Sequence, residues 1–182
     1  VSDDLNTFEI TMYRSLIGFL LVFGFLITKK RLKLLQFSDL KLHFVRNIFH
    51  FGAQNLWFYS ITVIPLVQVF ALEFTVPIWI LLLSPFFLSE AFTKPRLLGA
   101  FMGFIGILII TRPNLETING GTTAAALAAL GFAGSIMITK GLTRNHNTLS
   151  ILFIMMTMQL VFGIITSGWD FEIAPLTAEN FF

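Results

Sequence analysis

Along this chain polar and apolar positions do not alternate; they gather into long blocks separated by short polar segments. The blocks predict helices over about 11–28, 44–62, 66–89, 96–111, 122–141 and 149–168. At about 1.5 Å of rise per residue, about 20 residues cross the hydrocarbon of a bilayer, so each block reads as a membrane-spanning helix; the fourth is short and should extend at its ends. A backbone in lipid has to satisfy its own hydrogen bonds, which excludes open strands, and the alternating pattern of a membrane barrel is missing. The expected fold is therefore all-α and integral to a membrane, with six transmembrane helices.

Composition supports that reading. The 182 residues are 55% hydrophobic and 12% charged, include 22 Phe, and have a mean hydropathy of +0.82. Cysteine is absent, which removes disulfides, zinc-thiolate centres and cysteine nucleophiles together. A net charge of +2 is too small to imply a nucleic-acid partner, so the positions of the charges matter more. Lys29, Lys30, Arg31, Lys33, Lys41 and Arg46 surround the first loop, Lys94 and Arg96 the third, and Lys140 and Arg144 the fifth; of the 12 basic residues only Arg14 and Arg112 fall on the opposite side. The bias predicts that loops 29–46, 90–96 and 140–148 face the cytoplasm, in an inner (plasma) membrane. Trp57, Tyr59 and Trp169 then stand where interfacial aromatic residues belong. The stretch "KKRLKLLQFSDLKLH" either sets topology alone or also lies along an anionic lipid surface. The opening "VSDDLNTFEI" is acidic and lacks the features of a signal peptide. With no initiator Met and no closing polar tail, the chain reads as a piece of a longer protein, and Gly120 with Gly121 punctuate an outer loop between its two parts.

The candidate chemistry lies in "VQVFALEFTVPIWILLL", residues 67–83, where Glu73 interrupts an apolar run. An acidic residue at the centre of a spanning helix costs roughly 2.5–3.5 kcal/mol, which the surrounding Leu, Ile, Phe and Val offset at about 0.3–0.6 kcal/mol each. Pro77 cannot donate to the carbonyl of Glu73, so a bent helix would present a carboxyl group and a free backbone acceptor together; Pro85 does the same to Leu81. Glu73 either borders a watery cavity, as a partner for a proton or a cation, or hydrogen-bonds across a helix interface. In the second block His43, Asn47, His50, Gln54 and Trp57 share one helical face, which must meet other helices or a cavity. Asn47, His50 and Gln54 line a passage or tie helices together, whereas His43 is expected to be solvated in the headgroup zone. Arg14, near the outer end of the first block, either snorkels to the interface or meets an anionic group. Gly99, Gly103 and Gly106 form a small-residue face on the fourth block, and the fifth is also rich in small residues; these helices should pack tightly, with each other or with a partner. No paired carboxylates, nucleophile triad or metal-ligand spacing is present, so neither an enzyme nor a cofactor or metal site is expected.

Three stretches together resemble the drug/metabolite transporter superfamily, in particular its EamA-type permeases: "MYRSLIGFLLV", "FALEFTVPIWILLLSPFFLSEAF" and "RLLGAFMGFIGILIITRP". The resemblance implies ten helices in two inverted five-helix repeats, of which residues 1–114 would hold helices two to five and residues 115–182 helices six and seven. It further implies a secondary carrier of a small organic solute such as an amino acid, nucleoside or vitamin derivative, working by alternating access, with proton coupling one option. By position it nominates Glu73, Thr75, Pro77 and Trp79 with Gln54 and Trp57, and at Glu90 a tie to Lys94 or Arg96. The partners implied are a small-molecule substrate and the lipid bilayer, with a homodimer as an open alternative. A multidrug exporter and a membrane scaffold that transports nothing are the competing readings.

Overall fold

The computed structural model describes residues 6–88, 93–111 and 119–167, and every regular element among them is helical. In chain order these are α1 (Thr7–Thr28), a 3-10 turn (Leu32–Leu34), α2 (Leu40–Val63), α3 (Leu66–Glu73), α4 (Val76–Leu88), α5 (Lys94–Thr111), α6 (Gly120–Leu142) and α7 (Thr148–Ser167). Glu90, Arg112 and Trp169, singled out above, lie outside the described residues.

Local chemistry sets several of these boundaries. Asn6 caps α1 by accepting from the N–H groups of Phe8 and Glu9 at 2.9 Å, while the Glu9 carboxylate returns to the Asn6 N–H at 2.8 Å. This reciprocal box satisfies the first orphan donors of the helix and accounts for a buried Glu9. At the other end Lys30 adopts the left-handed region (φ 53°), and the Arg31 N–H reaches back to the Leu26 carbonyl at 2.8 Å.

One expected helix is cut in two. The Thr75 N–H bonds to Leu72, the Ile78 and Trp79 N–H groups both return to Thr75, and the turn at Phe74 and Thr75 separates α3 from α4. Pro77 thus falls in the first turn of a new helix, where its missing N–H is not needed, instead of inside a bent one. Pro85 does lie within α4, and the Leu81 carbonyl it leaves without a donor is taken by the Ser84 hydroxyl at 3.1 Å. Among the described residues four stretches are long and apolar enough to cross a membrane: α1, Leu66–Phe87 across the break, α6 and α7. Six were expected. Of the other two helices, α2 carries more polar positions: His43, Arg46, Asn47, His50 and Gln54.

By packing, the chain forms two compact units, residues 1–47 with 142–182, and residues 48–141. In the first, α1 lies along α7. A Cβ added to Gly163 would stand 2.8 Å from the Cα of Met12, and one on Gly18 would meet the Met156 sulfur at 2.6 Å, so both glycines permit the close approach. Phe19 and Phe23 meet Phe153 along the same seam. His43, expected to be solvated, is completely buried here with its ring edge-on to His146 at 5.4 Å. The helix starts at Leu40, earlier than the apolar block, so His43 is turned into the unit rather than left in a loop.

In the second unit the small residues of α6 do the packing. Ala125 joins Ile64 and Val69 in one core cluster, and Ala129 and Ala133 join Val76 in another. A Cβ on Gly131 would come within 2.9 Å of the Ala53 Cβ, and one on Gly121 would meet Val63 and Ile64 at 2.8–2.9 Å. Gly120 and Gly121 therefore open α6 instead of forming a flexible loop, and Gly121 serves a close contact. On α5, by contrast, a Cβ on Gly99, Gly103 or Gly106 would meet nothing within 4 Å, so the small-residue face of α5 is not pressed against a described helix.

Candidate functional site

The site is built by the tight connection between α2 and α3. Only Ile64 and Pro65 separate these helices, so α3 returns beside the end of α2 and Glu73 comes opposite Trp57. The indole Nε1–H of Trp57 donates to Glu73 Oε2 at 2.9 Å. Two turns earlier on the same face of α2, His50 sets its ring edge-on to Phe132 of α6 at 5.7 Å. Glu73, His50 and Pro77 border a cleft of about 500 Å³ whose remaining walls are Phe70, Phe74, Val76, Phe132 and Ile136. Among the described residues no Lys or Arg lines it.

The Glu73 carboxylate thus bonds across a helix interface and also borders a cleft. Its environment is apolar and aromatic, with one fixed N–H donor on one oxygen. Such an arrangement suits a cationic or hydrogen-bond-donating group, since a carboxylate in low dielectric is stabilised by whatever brings positive charge to it, and aromatic faces add to that attraction. The break at Phe74 and Thr75 borders this cleft, and Phe74 and Pro77 also border a second one, of about 670 Å³. The glycine face of α5, Ser84, Arg96 and Lys140 line that second cleft.

The other nominated residues are placed elsewhere. Thr75 donates its hydroxyl to the Leu72 carbonyl at 2.6 Å and closes the end of α3. Trp79 packs on the Val76, Ala129 and Ala133 cluster as part of the core. Gln54 is buried on α2 between His50 and Trp57. Asn47 belongs to the first unit, where it donates to the His43 carbonyl at 2.7 Å and receives two hydrogen bonds from the Gln159 amide at 3.1 Å. Arg14 is exposed. Two residues were not singled out in the sequence: Phe132 of the cleft, one of 22 Phe, and, in the first unit, Gln159, the partner of Asn47, whose signal was an isolated amide in the apolar run "MTMQLVF".

Among known proteins, the model of the EamA-like transporter family matches residues 1–112. The chain is 28% identical over 82% of its length to an S-adenosylmethionine uptake transporter of Rickettsia conorii, covering 50% of that protein. It is 35% identical over 73% of its length to a riboflavin transporter of Brucella anthropi, covering 47% of it. It is also 27% identical over 94% of its length to the pseudopaline exporter of Pseudomonas aeruginosa, covering 60%. The chain therefore spans about half the length of the first two relatives. All three are named for transport and none for an enzyme activity. No solved structure matches the chain. With more than half of its length matched by the family model, this chain belongs to the EamA-like transporter family, whose members are multi-pass membrane proteins.

Proposed function

We propose that the intact protein is a secondary transporter of a small organic metabolite and that the cleft at Glu73 forms part of its solute site. The observation that carries this reading is a carboxylate, held by the Trp57 indole at 2.9 Å, in an aromatic-walled cleft that no basic side chain among the described residues lines. The break beside it is of the kind tolerated at membrane depth where backbone borders a cavity. Two relatives are named for S-adenosylmethionine and riboflavin, and both solutes carry flat ring systems that Phe70, Phe74 and Phe132 suit. The placement of ten of the 12 basic residues supports a cytoplasmic side for the loops at 29–46, 90–96 and 140–148, in an inner membrane. In this reading the protein completes a ten-helix bundle of two inverted repeats, alternates access around the site, and uses Glu73 to take the solute's cationic or donor group or a coupling proton.

The test is flux of labelled S-adenosylmethionine and riboflavin through proteoliposomes carrying the full-length protein, in both directions, because the match to an exporter makes efflux as pertinent as uptake. Glu73→Gln should cut the flux of whichever solute moves. Full flux in that variant, with unchanged pH dependence and unchanged solute affinity, removes Glu73 from the site.

A further inference from the structure

In the first compact unit, two loops at the basic ends of their helices are sewn together by a run of polar contacts. The Leu34 carbonyl accepts from Asn147 Nδ2 at 2.6 Å, Gln36 Oε1 accepts from the Asn147 backbone N–H at 3.1 Å, and the Gln36 N–H donates to Ser150 Oγ at 2.9 Å. Ser38 Oγ pairs with His146 Nε2 at 2.7 Å, and the Asp39 carboxylate lies 3.5 Å from the same nitrogen. We infer that these loops, 29–39 between α1 and α2 and 143–147 between α6 and α7, form a separable latch that must open and close during transport. The inference rests on the transport reading above.

Two physical arguments separate a latch from a permanent tie. These hydrogen bonds, and the Asp39–His146 contact, are ones that water can replace when the loops part, and the apolar anchor beside them is the Phe37 ring, edge-on to Phe153 of α7 at 6.4 Å. The α1–α7 seam of the same unit is apolar and close-packed, at Met12, Gly18, Phe19, Phe153 and Gly163, and parting it would expose oil and open voids. Motion is thereby directed to the loops. Second, the closed arrangement contains its own opposing term. His43 is completely buried beneath the latch, and neither of its ring nitrogens has a hydrogen-bond partner among the described residues. Closure strips water from an imidazole and returns no bond to it, whereas separation rehydrates it. Asp39, a non-glycine residue at φ 53°, adds a backbone conformation that the closed loop must hold. Favourable polar contacts set against an orphaned buried group make a two-state element with a small gap, which is what a gate requires.

The experiment places cysteines at Gln36 and Asn147 in the full-length protein, in a background free of other cysteines, and joins them in proteoliposomes with a short bifunctional methanethiosulfonate. The linked protein should lose solute flux at least about ten-fold, recover it on reduction, and leave both single-cysteine variants unaffected. A linked protein that transports within about two-fold of the reduced form overturns the latch, as does a pair that never links although each thiol labels readily. His43→Phe keeps a ring in the site without the orphaned nitrogens and should link several-fold faster; an unchanged rate rejects His43 as the opposing element. If the wild type moves no solute, the transport reading fails on its own. The latch is then judged by linking rates alone, and an identical rate in wild type and His43→Phe counts against it.

Discussion

The coupling between Trp57 and Glu73 can be measured directly. Trp57→Phe removes the one indole N–H that donates to Glu73 Oε2 at 2.9 Å and leaves a ring against Phe70. Glu73→Gln keeps the shape and removes the charge. A hydrogen bond to a charged group contributes about 1.5–3 kcal/mol when well shielded, but Glu73 is only half-buried, and hydrogen bonds between membrane helices average about 0.6 kcal/mol with a maximum near 1.7. A coupling of about 1 kcal/mol is therefore expected, equivalent to about a five-fold effect. The assay is a double-mutant cycle on solute flux below saturation in proteoliposomes, with melting of the detergent-solubilised protein alongside. If the indole holds the carboxylate for the solute, Trp57→Phe should lower flux about five-fold in the wild-type background and little further in Glu73→Gln, while the melting temperatures of the two single variants stay close. Fully additive losses, or losses that follow the melting temperature alone, would refute the idea that this pair acts on the solute as a unit.

Three further outcomes follow from the packing and the charges. Gly163→Ala should destabilise the purified protein by about 1–3 kcal/mol, because its new methyl group meets the Met12 backbone at 2.8 Å, whereas Gly103→Ala, with nothing within 4 Å, should change melting little. Ser84→Ala should cost about 0.5–1.5 kcal/mol by leaving the Leu81 carbonyl without a donor, and should cost less in a Pro85→Ala background, where residue 85 regains its N–H; equal costs in the two backgrounds would exclude that compensation. His43 lies in the first turn of α2, ahead of the apolar block, and its pKa is held below the usual 6.5 by burial first, then by His146 and Arg46, against an opposite pull from Asp39. A lowered pKa in the closed form means that the parted loops bind the proton more readily, so closure is intact above about pH 6.5 and is lost as pH falls. Linking of the Gln36 and Asn147 cysteine pair should accordingly slow at acid pH, after correction for thiol reactivity in the single-cysteine variants, and His43→Phe should abolish that slowing.

What the chain determines by itself is the positions of its helices and the side chain that does not belong among its neighbours. Block length sets the helices, because a backbone in hydrocarbon has one way to satisfy its hydrogen bonds, and Glu73 is conspicuous since an acid in an apolar run needs a reason. The capping of α1 is equally local: "NTFE" places both partners of the box within one turn. Which polar residue meets which is not local. The stripe on α2 is a single helical face in sequence, yet Asn47 is bonded by Gln159 while Trp57 is bonded to Glu73, because partners are assigned by the helices that arrive alongside and not by spacing along α2. The same holds for the small residues. Both α5 and α6 are rich in small residues, and only the path of the chain presses Gly131 against Ala53 while leaving Gly103 open. His43 shows the point most sharply. Its place beside a basic loop suggests a solvated ring, and burial against His146, more than a hundred residues away, depends on two loops meeting, which no local pattern of hydrophobicity encodes.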